Sequence, residues 1–234
     1  MKFPSPRQFV EVRRALPVIA AVLLVVSIFL PMWEIDVHAV QYPNEVLSLH
    51  LYAYPHISGD YWEMAELNQY VGFYYPDPVY WEPNYEVHPK AIEVPEWVLG
   101  PFVLLGLAAV GLFVSIAPTN RKLKLGLKGQ LFGTIGLLVV RLYQAGHTLD
   151  PDAPLIGVDE FTPPIWGRYE VANITSYSSL DVGAYVIVVA IMLIVLAFRY
   201  RNTDATLVEL PRLLVKDIRS IPTKIPVIGR KSGG

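Results

Sequence analysis

A chain of 234 residues with 53% apolar residues and a mean hydropathy of +0.38 is too hydrophobic for an ordinary soluble domain, while 17% charged residues are too many for a bare bundle of membrane spans. The absence of cysteine rules out disulfides and thiolate metal sites. A net charge of −2 says little as a total and asks for no nucleic-acid partner; the distribution of charge along the chain carries the information.

A bilayer core of roughly 30 Å takes about 17–25 apolar residues in a helix, because every backbone polar group must be satisfied inside the span. Residues 1–14, with Lys2, Arg7, Arg13 and Arg14, lead into the first such window, 15–33 (ALPVIAAVLLVVSIFLPMW), whose Pro17 sits in the first turn, where a missing N–H costs little. A cleaved signal peptide is the rival reading, since Val37-His38-Ala39 imitates a small-residue cleavage site. Glu34 and Asp36 beside that site, and the length of the apolar run, favour a retained anchor.

Outer loop 1, 34–96, opens with a legible pattern. Ile35, Val37, Ala39, Leu47, Leu49, Leu51 and Ala53 are apolar and odd-numbered, whereas Glu34, Asp36, His38, Ser48, His50 and Tyr52 are even-numbered and mostly polar. Alternation at period two predicts an antiparallel hairpin over 35–54. A three-residue turn, Pro43-Asn44-Glu45, would set Tyr42 opposite Val46 and His38 opposite His50, about 4.5–5.5 Å apart at Cβ. Two imidazoles with Asp36 on the same face can hold copper or zinc; the plainer reading is a solvated polar face. Downstream, Asp60 and Glu63 form a D-x-x-E that starts a short helix at Tyr61, striped by Met64, Leu67 and Val71. The following FYYPDPVYWEPNY is too rich in proline for a regular element, and its tyrosines and tryptophan suit the headgroup level or a partner surface.

The second window is 97–117, with Pro101 in its first turn, and the third is 125–143, joined by a short cytoplasmic loop, 118–124. Gly126, Gly129, Gly133 and Gly136 give the third window a smooth strip for close helix packing, beside Gln130 and Arg141. In outer loop 2, 144–181, His147, Asp150 and Asp152 read either as a cation site or as a turn whose aspartates cap their own backbone. Asn173-Ile174-Thr175 is a glycosylation sequon. The fourth window, 182–198, is followed by a basic tail, 199–234, broken by Pro211, Pro222 and Pro226, which reads as lying on the inner leaflet.

Charge sets the orientation. All of the 19 Lys and Arg except Lys90, Arg141 and Arg168 flank the windows on one side, which the positive-inside rule makes cytoplasmic. All five histidines, and all of the 21 acidic residues except Glu11, Asp204, Glu209 and Asp217, fall in the two outer loops. The predicted fold is therefore an all-α membrane protein of four transmembrane helices in the cytoplasmic membrane, both termini inside, with an extracytoplasmic cap that contains a β-hairpin and a short helix.

Two segments resemble known motifs. GDYWEMAELNQYVG (59–72) is similar to GD-x-x-E-x-N-x-LNHYIGM, and the run from Gly146, GHTLDPDAP…FTPPIWG…ANIT, is similar to GHNLDPxAP…FTPP…G…ANF. Both motifs belong to small polytopic membrane proteins encoded beside nitrous oxide reductase or related denitrification genes, accessory factors of copper-dependent respiration. The resemblance covers about a quarter of the chain and implies copper as the metal and membrane or periplasmic respiratory proteins as partners, besides the lipid bilayer. Gln69 stands where the motif has His and Phe73 where it has Met, so a metal site would shift to His56, to His147 with Asp150, or to the hairpin pair His38 and His50. The two outer loops are expected to work together, with His56 and the helix at 60–68 packed near His147 and Asp150.

No P-loop, GxSxG, HExxH, CxxCH or dinucleotide fingerprint is present, and no histidine lies in a window where it could hold haem b, so no independent catalytic activity is expected. Three functions remain open: an accessory protein of a periplasm-facing copper or nitrogen-oxide respiratory enzyme, acting in metal handling or enzyme docking; a non-catalytic structural subunit of a nitric oxide reductase or haem-copper complex; and a small transporter.

Overall fold

The alternation at 34–52 does fold as antiparallel strands in the computed structural model, which describes residues 6–61, 63, 75–77, 80–81, 86–87, 91–93, 95–145, 166–171 and 174–220. The strands are β1 (Pro31–Ala39), β2 (Leu47–Tyr52), β3 (Ile57–Gly59), β4 (Tyr75–Asp77), β5 (Tyr80–Trp81), β6 (Glu86–Val87), β7 (Ala91–Glu93), β8 (Gly167–Val171) and β9 (Ile174–Leu180). The helices are α1 (Pro6–Phe9), α2 (Val12–Ile28), α3 (Pro95–Ser115), α4 (Asn120–Ala145), α5 (Val182–Arg199) and α6 (Leu210–Ser220). Five strands build one antiparallel sheet in the order β3-β2-β1-β9-β8; β4 with β7 and β5 with β6 make two small two-stranded sheets.

The all-α expectation is thereby overturned. The fold is mixed α/β, with five helices of 11 residues or more beside a five-stranded sheet. Of the four windows read as transmembrane helices, two are long and apolar enough to cross a bilayer, Val98–Ser115 and Val182–Arg199, and 33% of each is buried within the protein. Helix α2 stops after 17 residues because Pro31 opens β1, so the end of the first window belongs to a strand. Helix α4 begins at Asn120 and takes in Arg121, Lys122 and Lys124 from the expected loop in addition to Lys128 of the window, which leaves its composition mixed. The cap is more than a hairpin because β8 and β9 join it from the far end of the chain.

Parity between β1 and β2 holds, but the register does not. Val37 pairs with Leu47, Asp36 with Ser48 and Glu34 with His50, so the strands part sooner than a three-residue turn would require. The intervening segment is a wider double turn, closed by Tyr42 N–H to Ala39 O (3.0 Å) and Glu45 N–H to Tyr42 O (3.3 Å). Tyr42 is half-buried against the cluster of Val37, Ala39 and Leu47, and partial burial of that ring favours the wider loop.

Helix α2 packs on α5 and α3, α3 on α4, and α4 on α5, closing a ring of four. Its interior is lined by Leu24, Leu104, Leu127 and Ile194 but also by small and polar residues, including Ala20, Ala108, Ala190, Ser27, Gln130 and Thr134. Its exterior carries large apolar side chains: Phe113 is 70% exposed and Phe132 69%. Both amide atoms of buried Gln130 lack a partner among the described residues. The approach is tight there, since a Cβ on Gly111 would stand 2.4 Å from Gln130 Nε2 and 2.8 Å from Pro17 O.

The two ends of the ring differ. At one end α2 bends into β1 and β9 runs into α5, with Asp181 N–H donating to Met32 O at 3.0 Å. A side chain at Gly183 would meet Pro31 O at 2.7 Å, so glycine lets the first turn of α5 sit on that bend. At the other end Glu11 pairs with Thr206 as an isolated bridge, with Val12 N–H to Ala205 O at 2.9 Å. Glu11 accepts from Arg13 Nε at 2.8 Å, Arg13 also pairs with Asp204, and Arg14 Nη1 donates to Ser115 O (2.6 Å) and Ala117 O (3.1 Å), closing the end of α3. Helix α6 turns Leu210, Leu213 and Leu214 onto the bundle and is tied by Asp217 to Tyr200 Oη (3.0 Å) and Arg199 (3.2 Å).

Candidate functional site

Even-numbered side chains of β1 point to one face of the sheet. The register extends that face: Glu34 lies opposite His50 and Ser179, Asp36 opposite Ser48 and Tyr177, and His38 opposite Thr175. Ser58 on β3 continues the row at His50, and Arg168 and Glu170 on β8 continue the rows at Tyr177 and Thr175. Carboxylates, imidazoles, hydroxyls and a guanidinium thus share one surface, while Val37, Leu47 and Leu49 are buried on the other. Tyr61 packs on that apolar side with Leu49 and Ile57, and burial pushes its phenol up to about 12.

The most ordered group on the polar face is the pair formed by His50 and Asp181. Asp181 caps α5: Oδ1 accepts from the Val182 N–H at 2.6 Å, and Oδ2 lies 2.8 Å from His50 Nδ1. The carboxylate residue is only 9% exposed, and its desolvation is offset by two donors and by the positive end of α5. An ionised carboxylate only accepts, so Nδ1 donates in this contact and orients the imidazole, whose Nε2 has no partner among the described residues. Such an imidazole is what a metal ligand or a general base requires. Glu34 stands beside it in the next strand.

The neighbouring rows carry their own contacts. Asp36 Oδ1 accepts from Ser48 Oγ at 2.6 Å, and Asp60 Oδ2 accepts from the Ser48 N–H at 2.9 Å. Tyr177 meets the edge of His38 at 5.6 Å between ring centres and lies 6.0 Å from the Arg168 guanidinium, which pairs with Glu170 at 3.0 Å. Exposed pairs of this kind add little to stability, which leaves them free to meet a partner.

Of the residues singled out in the sequence, His38 and His50 share a face but are not cross-strand neighbours, because each is opposite another residue. His56 is exposed on the β2–β3 turn, its ring stacked on Tyr54 at 5.7 Å and 4.7 Å from Tyr52. His147 and Asp150 lie outside the described residues, and with them the expected joint surface of the two loops. Among the described residues no three His, Asp or Glu side chains converge as ligands for a metal ion. Asp181 and Glu34 went unnoticed as site residues. The position of Asp181 just before an apolar run is an N-cap signal that would have found it; Glu34 needed the register.

Comparison with known protein families, curated proteins and solved structures gives no match.

Proposed function

We propose that this chain is a membrane-embedded accessory protein of a copper-dependent or nitrogen-oxide respiratory enzyme, which it docks through the polar face of its sheet. The observation that carries this reading is the division of its surface. Large apolar side chains cover the outside of the helical ring, as a lipid-facing layer requires, and charged and aromatic groups gather on the sheet at one end of it. The basic residues at the opposite end support a cytoplasmic placement for that end and an extracytoplasmic one for the sheet. The respiratory assignment rests on the resemblance of 59–72 and of the run from Gly146 to the denitrification motifs.

Docking is favoured over metal handling because no three His, Asp or Glu side chains converge on a copper ion among the described residues, so the oriented imidazole of His50 stands without further ligands there. A photo-crosslinker placed at Tyr177 on the polar face, and another at Val208 at the far end, tests this in native membranes. Tyr177 is expected to capture a respiratory oxidoreductase subunit and Val208 not. Capture of no such subunit from Tyr177, or equal capture from both, sinks the reading. Stoichiometric copper in the purified protein, lost on His50→Ala, would replace docking by metal handling.

A further inference from the structure

We propose that the first turns of α4 form a binding site for anionic phospholipid headgroups, built from Arg121, Lys122, Lys124 and Lys128. This rests on the membrane reading above and adds a specific lipid partner at the end of the ring away from the sheet. The acids at this end are already engaged: Glu11 and Asp204 with Arg13, Glu209 in a capping box with Thr206, and Asp217 with Arg199 and Tyr200. Arg121, Lys122, Lys124 and Lys128 have no carboxylate partner among the described residues, and Arg121, Lys122 and Lys128 are exposed.

Spacing converts this charge into a surface. Arg121, Leu125, Lys128 and Phe132 fall at i, i+4, i+7 and i+11, hence on one face of the helix. Leu125 and Phe132 on that face are exposed, so basic heads alternate with large apolar side chains along the outside of the ring. Cations at the start of a helix also oppose its dipole, and no acidic residue of the first turn compensates them. An anionic headgroup plane above acyl chains satisfies both features at once, the cations by charge and Leu125 and Phe132 by burial, whereas free phosphate would use only the first.

The test uses the full chain in a neutral detergent. Retention of phosphatidylglycerol against phosphatidylcholine is read by native mass spectrometry over a salt series. The wild type is expected to prefer phosphatidylglycerol about tenfold or more, with the preference fading as salt rises. The quadruple variant Arg121→Gln, Lys122→Gln, Lys124→Gln, Lys128→Gln should lose it. The triple variant Lys122→Arg, Lys124→Arg, Lys128→Arg should keep it, and so should Arg212→Gln, Lys216→Gln on α6. Equal retention of the two lipids by the wild type, an unchanged preference in the quadruple variant, loss in the charge-preserving triple variant, or displacement of the lipid by inorganic phosphate overturns the proposal. Resistance to carbonate extraction, measured in parallel, reports on the membrane reading separately: a chain that is extracted yet still selects phosphatidylglycerol refutes that reading and leaves the lipid site standing.

Discussion

The sheet and the helical ring solve opposite problems with one chain. In the sheet the apolar side chains are inside, with Val37, Leu47 and Leu49 buried and Glu34, Asp36 and His50 on the open face. In the ring apolar side chains lie on both sides: Leu24, Leu104 and Ile194 are buried together with Ser27, Gln130 and Thr134, while Phe113, Leu125 and Phe132 face out. On the membrane reading proposed above, each region is arranged for a different solvent. The apolar count alone could not reveal this, because it does not say which side of an element is wet.

The largest expected effect is at the charged end of the ring, where Arg14 closes α3 and lies 3.8 Å from Glu11. Arg14→Ala should cost about 3–5 kcal/mol, since it strips a buried carboxylate of one of its cations, and thermal unfolding in detergent will show it. A midpoint unchanged from wild type would mean that this end is as wet as the sheet. Next is a direct test of the apolar exterior. Val189→Arg, outward at the middle of α5, should cost about 2.5–3.5 kcal/mol of insertion if lipid surrounds the ring, but stay within about 0.5 kcal/mol if water does. The fraction recovered in washed membranes separates the two.

The sheet predicts its own response to alkali. With the Tyr61 phenol raised from 10.0 to about 12, the unfolded chain loses this proton first, so the contribution is intact below pH 10 and is lost as pH rises toward 12. The loss should be about 2–3 kcal/mol, and Tyr61→Phe should flatten that part of the stability curve. At the junction of the two regions, Asp181→Ala should cost about 1–2 kcal/mol through the lost cap and release His50, whereas Asp181→Asn keeps an acceptor and should cost less than half of that. Proton NMR of the imidazole Nδ1–H reads the release independently of stability. The smallest effect should come from Gln130→Leu, which removes an amide with no partner among the described residues and should fall within about 1 kcal/mol of wild type, on either side; a large loss would show that the amide is engaged.

The hairpin was readable because each strand has one wet face and one dry face, so parity survived into the structure even though the register did not. Its register escaped because it was decided by the partial burial of Tyr42, a property of the folded loop. Strand β9 was not readable at all: ITSYSSL carries hydroxyls at both parities, and its partner β1 lies roughly 140 residues earlier, beyond the reach of any local pattern. The same distance hid Asp181 from His50. The helix windows were half right, since length and apolarity found α3 and α5, while Pro31 and the cations of α4 altered the other two. Where the lipid-like face of a helix lies could not be decided before its neighbours were known.

The most extensively packed helix pair, α2 with α5, and the longest strand pair, β1 with β9, both join the beginning of the chain to its last quarter. At a synthesis rate of about 5–20 residues per second, the roughly 150 residues between α2 and α5 take about 8–30 seconds to emerge. During that interval α2 and β1 are present without their principal partners, and a nascent chain truncated before β9 keeps an unpaired strand edge of the kind that aggregates. Biogenesis of this protein is therefore governed by waiting: the step that completes both sheet and ring comes only after β9 and α5 have been made, and whatever shields β1 until then sets the yield.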